Sequence, residues 1–165
     1  MSDLSFANYG VMIKKQMLND THLAKNAHKR WLRRVKHLVD DLPVDIKTLP
    51  IDAKKSEFAQ WFYTSGIKCK QIPQLEYYVS LIDFLYSEMH TSYLKIHSLY
   101  TADTNSSKLV NMLIPSKRKL SAKQLRVAQF YLNDIENLSN ELFKFIDLFE
   151  RHLAIQANEN LIAVI

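Results

Sequence analysis

The sequence predicts an all-α protein, and three observations carry that expectation. Only two glycines occur in 165 residues, too few for a turn-rich β architecture. Hydrophobic residues make up 47% and aromatic residues 11%, enough for a sizeable core and too apolar for a disordered chain. Apolar side chains also recur at three- and four-residue spacing over long uninterrupted segments, the period of a helix with one buried stripe.

The first segment runs from Ser2 to about Asp41 and carries Ala24, Trp31, Val35 and Leu38 on one face. At about 1.5 Å per residue it would form one helix of roughly 55 Å. Pro43 and Pro50 bracket a connector, after which Asp52 is placed to cap a short second helix through Trp61. Gly66 then supplies a residue free to turn left-handed. Pro73 opens the third helix, whose stripe reads Leu75, Val79, Ile82, Met89, Ile96 and Tyr100 before the polar run at 101–107. Residues 108–114 have the composition of an extra helical turn. Ser121 and Gln124 have capping-box spacing at the start of the last helix, which continues through Ala128, Tyr131, Ile135, Leu138, Leu142, Phe149 and Leu153.

An antiparallel four-helix bundle with a short second helix, one domain over 1–165, is the simplest way to bury these stripes. The apolar end, Leu161 to Ile165, would pack on the bundle, meet a second subunit, or mark the cut end of a longer chain. No apolar run reaches the roughly 18 residues that span a bilayer, and Met1–Phe6 lacks a basic segment followed by an apolar stretch. A cytoplasmic protein is therefore expected. A lone cysteine, Cys69, fits a reducing compartment.

No catalytic motif stands out, so a non-enzymatic role is expected. The chain has no phosphate-binding glycine loop, no Gly-x-Ser-x-Gly elbow and no His-Glu-x-x-His. Cys69 falls in an expected loop between Lys68 and Lys70, cations that would lower its pKa, but nothing nearby marks a base.

Metal binding has more candidates: His28, His90 and His97, with Asp83, Tyr86 and Glu88 as oxygen donors. His90 and His97 share a helix face but stand about 10 Å apart, too far for one ion, and are expected to flank the stripe as partly exposed residues. His28 falls in register with Ala24 and Trp31 and faces inward, where an imidazole needs a ligand or a hydrogen-bond partner.

Two tryptophan signatures, His28-Lys-Arg-Trp31 and Ser56-Glu-Phe58-Ala59-Gln-Trp61, go further. Together with Gly66 and Pro73 they resemble the chemoreceptor zinc-binding domain, a bacterial four-helix cytoplasmic sensor. In that family a histidine three residues before an aromatic ligates zinc, as His28 would before Trp31. The second helix there opens Cys-x-Phe-Gly-x-Trp; here Ser56 stands for the cysteine and Ala59 for the glycine. The family's His-x-x-x-His pair on the third helix falls near Ile82 and Tyr86. Of four ligands only His28 is retained, so the resemblance implies a regulatory scaffold with weakened or lost zinc binding and no other cofactor. It further implies a homodimer that docks on a receptor or other signalling protein. Trp31, Phe58 and Trp61 would pack near His28 and Ser56.

Charge suggests a rival reading. The net charge is +5, with a pI near 9.2. Lys29, Arg30, Arg33, Arg34 and Lys36 cluster on the first helix, and Lys117, Arg118, Lys119, Lys123 and Arg126 around the start of the last. Such clusters can grip nucleic acid, an anionic membrane surface or an acidic protein. Most aromatics, including Tyr93, Tyr100, Phe130 and Phe149, fall in register with the apolar stripes, which argues against a base-stacking platform.

Overall fold

The computed structural model describes residues 3–101 and 119–164, and among these every regular element is helical. Helix α1 spans Asp3–Val39, α2 Glu57–Thr64, α3 Pro73–Thr101, α4 Ala122–Ile155 and α5 Asn158–Ile162. Short 3-10 turns occupy Ile46–Thr48, Ala53–Lys55 and Gly66–Gln71. The extra turn expected at 108–114 lies outside the described residues.

Local chemistry sets the boundaries. Beyond the end of α1, Asp41 adopts φ 59° and the Leu42 amide donates to His37 O, a six-to-one bond that closes the last turn. Asp accepts this left-handed position more readily than most residues. Asp52 does not cap α2 as expected; its carboxylate accepts from the Lys54 amide and opens the 3-10 turn before it. The α2 cap is Ser56, whose Oγ accepts from the Ala59 amide at 3.0 Å. Pro73 is the first residue of α3, where its missing N–H costs no bond. Ser121 and Gln124 form the reciprocal capping box of α4.

Contacts between helices fix their directions. Helix α4 runs opposite to α1: Lys14 bonds Gln156, Lys25 pairs with Asp147, and His28 meets Ser139. It also runs opposite to α3, where Tyr78 meets His152 and Ser92 bonds Asp134. Helices α1 and α3 run the same way, Trp31 against Tyr93 and Tyr100 Oη donating to Leu38 O. The core between them contains Val35, Leu38, Val79, Met89, Ile135 and Leu142, all fully buried. Each such side chain contributes about 1.5–3 kcal/mol by leaving water. Leu161, also fully buried, anchors α5 against α1 near Gly10, so this end of the chain packs on the helices. Phe130 departs from expectation. It is 68% exposed, because Ala128, Leu132 and Ile135 carry the buried face of that turn.

Candidate functional site

His28 is 1% exposed and stands inside a ring of aromatics. Its imidazole stacks on Trp31 at 5.4 Å and meets Phe58 at 5.6 Å and Phe143 edge-on at 5.3 Å. Nε2 lies 3.1 Å from Ser139 Oγ, and that hydroxyl is also 3.2 Å from Met89 Sδ. Serine thus bridges an imidazole on α1 and a thioether on α3. Burial without a neighbouring carboxylate pulls the His28 pKa down to about 4, so the ring is neutral near pH 7.

Ser56 faces the same cavity from the start of α2. Its Oγ lies 2.6 Å from Tyr86 Oη, while Tyr86 donates to Ala53 O at 2.8 Å. With the tyrosine proton so engaged, the serine hydroxyl donates to the phenol oxygen and accepts from the Ala59 amide. Burial raises the Tyr86 pKa to about 12. His28, Trp31, Ser56, Phe58 and Tyr86 all line one cavity of about 90 Å³. Arg34 and Lys55 also contribute to its wall.

Tyr86 belongs to a row on α3 whose members the sequence reads separately, Tyr86 and His90 as candidate metal donors and Tyr93 as part of the apolar stripe. His90 Nε2 lies 2.7 Å from Ile51 O, and Tyr93 Oη donates to Leu49 O at 3.0 Å. With Tyr86 on Ala53 O, three successive polar tips of one helix face hold the connector between α1 and α2. His90 and His97 are buried, not partly exposed as expected, and desolvation lowers the pKa of both. The available signal was the spacing of Tyr86, His90 and Tyr93, which puts hydrogen-bonding groups on the buried face, where each needs a partner.

The donor set does not fit zinc. A zinc site draws on imidazole, thiolate or carboxylate, usually four ligands. This cavity offers one imidazole, already in contact with Ser139, the Ser56 and Tyr86 hydroxyls bonded to each other, the Thr48 hydroxyl, and one carboxylate, Glu57, which pairs with Arg30. Ile82 is a buried hydrophobe, and Asp83 accepts a hydrogen bond from Tyr63 at 2.8 Å. Among the described residues no three His, Cys, Asp or Glu side chains converge on a point.

Other expected residues are redistributed. Trp61 is half-buried and packs edge-on to Phe58 at 5.8 Å, whereas Trp31 and Phe58 are the rings against His28. Gly66 does not turn left-handed; it has no positive φ. A Cβ there would lie 3.1 Å from the Phe62 ring and 3.3 Å from the Trp61 indole, so any side chain would have to press both rings aside by a few tenths of an ångström. Cys69 is not in a loop but fully buried in a 3-10 turn, and burial raises its thiol to about 11, opposite to the effect expected from its lysines. In the basic cluster Arg30 pairs with Glu57, and Lys36 stands 3.4 Å from Glu136. Lys29 lies over the Phe143 ring, while Arg33 and Lys119 are exposed. Lys117 and Arg118 lie outside the described residues. No helix among the described residues is long and apolar enough to cross a membrane.

No protein-family model, curated protein or solved structure matches the chain.

Proposed function

We propose that this protein is a non-catalytic regulatory domain built on the scaffold of the chemoreceptor zinc-binding domain, with hydroxyls where that family carries metal ligands. The carrying observation is convergence: His28 from α1, Ser56 from the start of α2 and Tyr86 from α3 line one cavity. These are three of the four positions at which the resemblance expects ligands, and they lie far apart in sequence. The opposed directions of α1 and α4, and of α3 and α4, fit an antiparallel four-helix bundle in which α2 is the short member. In this reading the bundle works in the bacterial cytoplasm as a homodimer, acting on a receptor or other signalling protein through a shift between two helix packings.

Two measurements test the reading. Protein purified without added metal or a histidine tag is expected to carry less than stoichiometric zinc, unchanged by His28→Ala. Stoichiometric zinc lost on that substitution would restore a metal sensor. The second test restores the missing ligands: Ser56→Cys, Ile82→His and Tyr86→His together should create a site that takes up one zinc and loses it when His28 is also replaced. A folded triple variant that binds no zinc would overturn the assignment of these positions.

A further inference from the structure

A second cavity, away from His28, has the features of a ligand site. It lies where the N-terminal half of α1, the end of α2, the 3-10 turn at Gly66–Gln71 and the C-terminal half of α4 meet, and its volume is about 220 Å³. It is partly open to solvent, so a small molecule can enter without the helices separating. Ile13, Met17, Trp61, Cys69, Phe149 and Leu153 form most of its apolar wall, and Lys68 stands among its polar lining residues. Two aromatic side chains, Trp61 and Phe149, and two polarizable sulfurs in that wall favour a flat aromatic guest. Asp20 contributes an acidic side chain. Its carboxylate accepts from Gln16 Nε2 at 2.7 Å and keeps lone pairs for a further donor.

We infer that this cavity binds a small, flat aromatic molecule carrying one N–H or O–H donor, its ring between Trp61 and Phe149 and its donor on Asp20. A few convergent polar groups beside a mainly apolar wall are the general form of a small-molecule site. The inference is independent of the zinc-domain reading, since no residue of the His28 cavity lines this one. Met17 and Trp61 join it to α1 and α2, so a bound ring would change how those helices are held.

Indole is the probe. Titrated into protein with carbon-13-labelled methionine and isoleucine methyls, it should shift the Met17 and Ile13 signals to saturation with a Kd below about 1 mM, reasonable for so small a ligand. Filling the space with Met17→Trp should weaken binding at least tenfold, and Asp20→Asn should weaken it several-fold with the methyl shifts still centred on the cavity. Thermal unfolding of both variants establishes that they fold, and the wild-type titration stands by itself if either does not. Shifts that never saturate, that spread over the surface, or that persist unchanged in folded Met17→Trp overturn the proposal.

Discussion

Replacing His28 with phenylalanine should remove one specific component of the pH dependence of stability. The imidazole is neutral in the fold, with a pKa near 4, whereas the unfolded chain protonates it at about 6.5. The unfolded state therefore binds the extra proton between these values. The stabilisation is complete above pH 6.5 and is lost as pH falls toward 4. Linkage puts the loss at about 1.4 kcal/mol by pH 5.5 and about 2.5 kcal/mol by pH 4.5, relative to pH 7.5. A phenyl ring fits among Trp31, Phe58 and Phe143, and Ser139 keeps Met89 as a partner. The assay is urea unfolding of both proteins at several pH values, read as the difference between their curves, in which the shared contributions of His90 and His97 cancel. Wild type should fall toward or below the variant as pH drops, by the amounts above. Parallel curves would refute the reasoning, because they would mean that His28 titrates alike in folded and unfolded chains.

Tyr93→Phe removes the donor to Leu49 O and leaves a buried carbonyl unpaired, which should cost about 1–3 kcal/mol in chemical denaturation. Backbone hydrogen exchange should rise over 45–55 more than elsewhere. Gly66→Ala would set a methyl group 3.1 Å from the Phe62 ring and 3.3 Å from the Trp61 indole, and a crystal structure should show both rings displaced by a few tenths of an ångström.

The helices were legible because their causes are local and periodic. Pro73, the Ser121–Gln124 box and the apolar stripes of α3 and α4 lie where the sequence indicates, and His28 faces inward as its register with Trp31 requires. Elsewhere the competing local signals were closely balanced. Asp52 and Ser56 are both good caps four residues apart, and each is used, Asp52 for the 3-10 turn and Ser56 for α2, where it also contacts Tyr86. Phe130 is next to Tyr131 of the expected stripe, but the buried side of α4 passes through Ala128, Leu132 and Ile135 and leaves it in solvent. Gly66 shows a different limit: composition marks a glycine as permissive of a left-handed turn, whereas here its backbone is ordinary and what it gives is room beside Phe62 and Trp61, four and five positions back. The same holds for His90, whose partner is the backbone of Ile51, thirty-nine positions away.

The connector joining α1 to α2 resembles a loop in composition, yet the row on α3 makes it a measured length of chain. Its accepting carbonyls, at Leu49, Ile51 and Ala53, fall on every second residue, whereas the donors Tyr93, His90 and Tyr86 fall on every third or fourth. Two different periods coincide over this stretch in a single alignment. Deleting Ile51 would turn the next carbonyl away from α3 and misalign every bond beyond it, as a one-residue slip does in a strand. Length variation should therefore be tolerated poorly at this crossing, unlike most surface connections. Any movement of α1 along α3 must carry the connector with it as one piece or break the three bonds together, so displacement becomes a stepped event instead of a gradual slide.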